Sequence, residues 1–301
     1  MQISASMVKE LRDRTGAGMM DCKKALQETA GDVEAAIDAM RKSGVAKAAK
    51  KAGRIAAEGT IVIERDAAGS QAVILEVNCE TDFVARDENF QKFSSGLASA
   101  VLEQGNGSLE SLADLPLNGT EARSVEEARQ ELVTKLGENI SIRRHARIRQ
   151  SRGGTLGIYV HGIRIGVIVD LSTDNPVLAK DLAMHIAAAN PLCVDEQDVP
   201  RDVLEKEREI QLAHAGQSGK PEHIIEKMVN GRVKKFIKEN TLSGQAFVKD
   251  PDTSVAALLK ANNAVVHGFI RYEVGEGLEK KEDNFAAEVM QQAGLTSTLS
   301  S

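Results

Sequence analysis

Apolar residues recur three and four apart over roughly the first fifty positions, and two apart from Gly59 onward, so the chain opens with helices and passes into strands. Met7, Val8 and Leu11 predict a helix capped by Ser6 and ended at Thr15-Gly16. Ala25 and Leu26 share a face of a second helix, capped by Asp21 and stopped by Ala30-Gly31. Val33, Ala36, Ile37 and Met40 predict a third, from a cap at Asp32 to a stop at Gly44. Thr60 to Glu64 and Ala72 to Asn78, separated by Asp66-Ala67-Ala68-Gly69-Ser70, predict an antiparallel hairpin. Phe90, Phe93, Leu97, Val101 and Leu102 supply the apolar face of the helix that follows. Residues 104–120 are aperiodic and predict a loop with at most one short helix; 125–136 return to a helical period, and 139–148 read as a strand.

The pattern then repeats. Residues 154–160 and 163–171 predict a second hairpin, and Ser172-Thr173-Asp174-Asn175-Pro176 leads into a helix over 177–189. Glu80-Thr81-Asp82-Phe83 aligns with Ser172-Thr173-Asp174-Asn175, which suggests two related strand–strand–helix units, Thr-Asp capping the departing helix in both. Two charged helices, 199–214 and 221–239, are joined by a Gly-containing link; Ile225, Val229, Arg232 and Phe236 at 4-3-4 spacing predict a coiled-coil seam. Residues 264–274 form a final strand, Gly275-Glu276-Gly277 a hinge, 278–290 an amphipathic helix with Phe285 and Val289 on one side, and 294–301 a frayed end. The expected fold is α+β. It has a three-helix unit of the ubiquitin-associated type with a basic linker (1–55), a first core subdomain (56–148) and a second (149–277). A helical hairpin (195–242) interrupts the second, and a C-terminal helical module (278–301) follows.

Composition narrows the function classes. The 301 residues are 42% hydrophobic and 3% aromatic with no Trp, so the cores must be aliphatic and Ala-rich. A net charge of -6 argues against nucleic-acid binding by the chain as a whole. Residues 41–54 are basic without one acid; they read as a solvated helical linker in preference to a patch for an acidic protein face or RNA. The three cysteines, Cys22, Cys79 and Cys193, are far apart, with no CxxC or Cys/His cluster, so neither zinc nor a disulfide framework is suggested. No secretory signal opens the chain and no apolar run nears the ~18 residues of a membrane span, so the expected location is the cytoplasm.

No catalytic constellation emerges. Gly219-Lys220 lacks the spacing of a phosphate-binding loop, Gly275-Glu276-Gly277 lacks a third glycine, and HExxH and GxSxG are absent. The histidines (145, 161, 185, 214, 223 and 267) are scattered, Asp82 has no partner as a general base, and Cys79 reads as a buried hydrophobe. The chain is therefore expected to be no enzyme and to need neither cofactor nor metal. The notable feature is Thr81-Asp82-Phe83-Val84: a strand ends, a helix begins, and an aromatic residue falls at the exposed corner between them. An aromatic placed there suits a partner's pocket.

Two longer segments, Leu11 to Leu26 (LRDRTGAGMMDCKKAL) and Glu76 to Arg86 (EVNCETDFVAR), together with His161-Gly162, Arg164-Ile165-Gly166, Gln217 to Pro221 and Gly268 to Gly277, run in order across nearly the whole chain. In these the sequence resembles the bacterial elongation factor Ts family, guanine-nucleotide exchange factors of the GTPase elongation factor Tu. The resemblance implies that the corner, Thr81, Asp82, Phe83 and Val84, dislodges magnesium at the partner's nucleotide site. It implies that Lys9, Arg12, Met19, Met20 and Lys23 contact the GTPase domain, and that His161 contacts another domain of the partner. It further implies binding to GDP-bound and nucleotide-free elongation factor Tu, with no membrane and no nucleotide bound by the chain itself. Local packing of a small bundle is the alternative for Met19-Met20. The chain departs from the pattern at Asp87, where relatives carry Asn, and over 104–120. Two other readings stay open on residues 1–55: an adaptor for ubiquitin-like partners, and an RNA-binding segment.

Overall fold

The computed structural model describes residues 3–104, 108–117, 123–216 and 221–278. Three helices come first: α1 (Ala5–Thr15), α2 (Met19–Glu28) and α3 (Val33–Lys51). Ser4, not Ser6, caps α1: its hydroxyl accepts from the Met7 N–H, and Ser6 lies inside the first turn. Asp21 likewise sits in the first turn of α2 rather than at its cap, where its charge still suits the helix N-terminus. Asp32 caps α3 through the Ala35 N–H, as expected. Gly44 does not end α3. The Ala- and Lys-rich residues after it are good helix formers, and a Cβ on Gly44 would stand 3.0 Å from Thr134 Oγ1. The missing side chain is what lets the helix lie against its neighbour. Val8, Leu11, Cys22, Leu26 and Ala36 close a small core between the three helices.

Two strands, β1 (Glu58–Arg65) and β2 (Gln71–Cys79), pair antiparallel. After them come α4 (Asp82–Ala85), α5 (Glu88–Gln104), α6 (Leu109–Leu112) and α7 (Val125–Leu136), and β3 (Ser141–Arg149) pairs with β2. The second unit has β4 (Thr155–His161), β5 (Ile165–Leu171) and α8 (Pro176–Ala189). Next come α9 (Arg201–Gly216) and α10 (Glu222–Asn240), packed on each other, then β6 (Ala246–Phe247), β7 (Asp250–Ser254), α11 (Val255–Ala261) and β8 (Val266–Glu273). The sheets run β1-β2-β3 and β4-β5-β8, all antiparallel, with β6-β7 a separate pair.

Side-chain alternation explains the layering. Val73, Leu75, Val77 and Cys79 of β2 face Phe90, Phe93, Leu97 and Val101 of α5 and Val133 of α7. Ala72 and Ile74 face the other way, onto Leu156 and Ile168 of the second sheet. There Val167, Val169 and Leu171 turn outward onto Leu178, Leu182 and Ile186 of α8. The order is helix, sheet, sheet, helix, which is why β2 is buried almost continuously. Gly166 permits the close approach: a Cβ there would meet Ile61 Cγ2 at 2.5 Å.

Four further expectations change. In the second unit the cap is Asn175, whose side chain accepts from the Leu178 N–H, not Thr173; Pro176 needs no partner in the first turn, so the residue before it caps. Arg232 is exposed and donates to Gln211, while Val229 is buried and Met228 and Val233 are half-buried, so the side of α10 turned to α9 runs through those residues. Gly275-Glu276-Gly277 is tied down rather than a hinge: the Gly275 N–H donates to Glu76 (2.8 Å), and the Glu276 carboxylate pairs with Arg144 (3.1 Å) and Arg271 (3.6 Å). The β6–β7–α11 segment was not foreseen. The helix expected from Leu278 and the frayed end after Gly294 lie, past Leu278, outside the described residues. Among the described residues no helix is long and apolar enough to cross a membrane.

Candidate partner-binding site

Two N-caps six residues apart shape the corner after β2. Thr81 is extended (φ -126, ψ 157) and its hydroxyl accepts from the Val84 N–H, starting the single turn of α4. Asp87 then accepts from the N–H groups of Asn89 (2.8 Å) and Phe90 (3.4 Å), starting α5 in a new direction. Burial pushes the Asp87 carboxyl up, but the Asn89 and Phe90 bonds outweigh it and hold the group below the usual carboxylate range.

One side of the turn is anchored and the other is bare. Val84 and Ala85 are buried in the same cluster as Phe90 and Leu97. Val84 flanks the bare side with its own side chain turned into the core, where an apolar cluster one turn away makes burial its stable place. Phe83 is 83% exposed, more than any other large hydrophobic among the described residues. Leaving a Phe side chain in water forgoes roughly 1.5–3 kcal/mol of burial. Asp82 is exposed beside it, with Arg86 4.0 Å away.

The backbone beneath is held by residues that no local pattern marked. Glu138, just after α7, accepts through Oε2 from the N–H groups of Glu80 (3.0 Å) and Thr81 (2.9 Å), and through Oε1 from the Thr81 hydroxyl (2.6 Å). Glu80 in turn accepts from the Asn139 N–H (2.7 Å). These partners are 57 to 59 positions apart, so only a polar dipeptide between a helix end and a strand hinted at them. Cys79 donates to the Thr81 carbonyl (3.1 Å); burial, then the charges of Glu138 and Glu58, push its thiol up to about 12, so it is inert packing.

Lys9, Arg12, Met19, Met20 and Lys23 are all exposed, Met20 to 76%. The buried side of α2 is Cys22, Ala25 and Leu26, so the methionine pair is not bundle core. Lys135 of α7 links this region to the corner. Its Nζ donates to Asn89 (2.7 Å), and a Cβ on Gly16, in the loop before Met19, would meet it at 3.1 Å. His161 is exposed at the end of β4 and shares a hydrogen bond with Tyr159 (3.0 Å). Its hairpin turn is bound to β1 by the Ile61 N–H to the Ile163 carbonyl (2.8 Å) and by Arg164 to Glu58 (2.5 Å). Glu58 pairs with Cys79, so His161 and the corner lie toward the same end of the stacked sheets. Among the described residues no three His, Cys, Asp or Glu side chains converge to hold a metal ion.

A protein-family model described as Elongation factor TS matches residues 80–276. The chain is 58% identical over 293 residues to an elongation factor Ts of Thioalkalivibrio sulfidiphilus, covering 97% of this chain and 99% of that one. It is 56% identical over 293 residues to that of Alkalilimnicola ehrlichii, with the same coverage. To that of Legionella pneumophila (strain Paris) it is 55% identical over 290 residues, covering 96% and 98%.

Proposed function

This chain belongs to the elongation factor Ts family, nucleotide exchange factors of elongation factor Tu in translation elongation, and from that premise we propose that exchange works through the Asp82-Phe83 corner. An exchange factor is not an enzyme that makes or breaks bonds; it needs a shaped wedge on a stiff support. The observation that carries the reading is Phe83, 83% exposed on a turn whose backbone is fixed from below.

Phe83 enters a pocket beside the partner's nucleotide, and Asp82 disturbs the groups around the magnesium ion that bridges the phosphates. Thr81 and Val84 hold the turn in place: one caps it, the other anchors it in the core. Magnesium neutralises phosphate charge, so its loss weakens nucleotide binding steeply. GDP leaves and GTP enters. By linkage, the factor binds the empty GTPase more tightly than the loaded one to the same degree that it weakens the nucleotide. Lys9, Arg12, Met19, Met20 and Lys23 grip the GTPase domain, Met side chains adapting to an apolar surface. His161 and its hairpin reach a second domain of the partner. The work is divided among residues 1–55, a two-part core over 56–148 and 149–277, the α9–α10 hairpin as an inserted coiled coil, and a C-terminal module from 278. The cytoplasm is where the partner works.

Release of fluorescent GDP from elongation factor Tu tests this, with the parent beside an Asp82→Ala/Phe83→Ala variant. Strong acceleration by the parent and little by the variant is expected. Equal acceleration by both would move the wedge away from the corner.

A further inference from the structure

Glu138 and Asn139 are adjacent residues that face in two directions. Toward the corner, one carboxylate takes three donors: the N–H groups of Glu80 and Thr81 and the Thr81 hydroxyl. The hydroxyl's proton is thereby committed to Glu138, which leaves its oxygen to accept from the Val84 N–H and start α4. The cap that aims Phe83 thus depends on Glu138. Toward the N-terminal helices, the Asn139 side-chain amide donates to the carbonyls of Arg54 (2.8 Å) and Ala52 (3.4 Å), the stretch that leaves α3. Lys51 donates to the Gly137 carbonyl of the same connector, and Arg54 reaches Glu80 at 3.4 Å.

We infer that the Gly137-Glu138-Asn139 connector positions the corner for exchange. Glu138 sets the direction of Phe83, and Asn139 hangs the end of α3 on the same reference point. The inference rests on the corner being the exchange element. Asn139 is buried and Glu138 half-buried, so both act through the corner. A carboxylate suits the post: it offers acceptors only, and what Glu80 and Thr81 turn toward it are three donors. Without it two backbone N–H groups and a hydroxyl lose their acceptor together, and the aromatic two residues on loses its fixed aim. Sub-ångström placement is what an inserted side chain requires.

A double-mutant cycle on GDP release from elongation factor Tu tests this, with Glu138→Ala, Phe83→Ala and the pair, at rising concentrations of factor. Glu138→Ala is expected to lower the saturated rate about tenfold and to shift the half-saturating concentration far less. The pair should be no slower than Phe83→Ala alone, since Glu138 has nothing left to aim. Glu138→Gln keeps an acceptor oxygen for the Glu80 and Thr81 N–H groups but turns a donor toward the Thr81 hydroxyl, so it should recover part of the rate; loss of folding alone would make the losses multiply in the pair. If Glu138→Ala does not fold, as judged by its melting transition, Glu138→Gln and Asn139→Ser carry the same cycle, with smaller losses that still vanish beside Phe83→Ala. Multiplying losses in the pair, or a full rate without Glu138 where Phe83→Ala is slow, would overturn the positioning role. A full rate for Phe83→Ala itself would instead overturn the corner reading, and this inference with it.

Discussion

Glu76 is fully buried between the sheets yet charged. Its carboxylate accepts from the Gly275 N–H (2.8 Å), Asn78 (3.1 Å), Arg143 (3.0 and 3.1 Å) and Arg144 (2.6 Å). Burial pushes its pKa up, but the Gly275 and Asn78 bonds and the two guanidinium groups outweigh it, so the group stays ionised below the usual carboxylate range. A depressed carboxyl contributes stability above its unfolded pKa, about 4.3, and loses it as pH falls through the lower folded value. Glu76→Ala is expected to cost about 3–5 kcal/mol at neutral pH, because Arg143 loses its counter-charge, Arg144 keeps only Glu276, and the Gly275 N–H loses its acceptor. Urea unfolding at pH 7 and again below about pH 4 checks it: the gap between parent and variant should narrow in acid, and a constant gap would mean that the ionised form is not what matters. At this scale the sequence was uneven. Phe83 and Met20 could be expected outside from their neighbours, whereas no local pattern marked Glu76 or Glu138 as a bonded centre.

α8 carries the clearest coupling between elements. His185 on its buried face accepts the Val248 N–H at Nδ1 (3.2 Å), so its proton sits on Nε2 and is donated to Gln245 (3.0 Å); the ring packs on Phe247. Neutral imidazole is thus the pin for the β6–β7 turn. Burial lowers the His185 pKa, the Gln245 bond opposing in part. The pin's contribution is complete above the unfolded value of about 6.5 and is lost as pH falls, since protonation removes the acceptor at Nδ1. Hydrogen exchange at the Val248 amide, corrected for its intrinsic rate, should speed up as pH falls below about 6.5 while α5 amides hold their protection; parallel behaviour would break the link. The long elements were legible because each shows a full face of apolar residues: α7 runs over the expected 125–136. β6, β7 and α11, of two to seven residues, were not, for such short pieces take their partners from the rest of the fold. Gly44 misled because its isolated cost in a helix, about 1 kcal/mol, is set against the closeness of α3 to α7.

For the whole molecule, the N-terminal surface and the corner are joined by α7, through Lys135 on one side and Glu138 just beyond its end, and on the proposed function they contribute separately. Met19→Ala/Met20→Ala should raise the half-saturating concentration for exchange about fivefold or more while leaving the saturated rate unchanged, as expected for interface anchors remote from the wedge. A fall in the saturated rate instead would place the methionines in the exchange step. What the sequence determined by itself was what repeats or stays local: the periods that make helices and hairpins, the duplicated strand–strand–helix plan, the aromatic at a strand-to-helix corner, and the motifs of the family. What only the tertiary structure decided was everything that joins distant positions: the face-to-face stacking of the two sheets across Gly166, the charged cluster at Glu76, and the Glu138 clamp. A period of two or 3.6 is written into neighbouring residues, but a hydrogen bond across 57 positions exists only once the chain has folded to bring its two ends together.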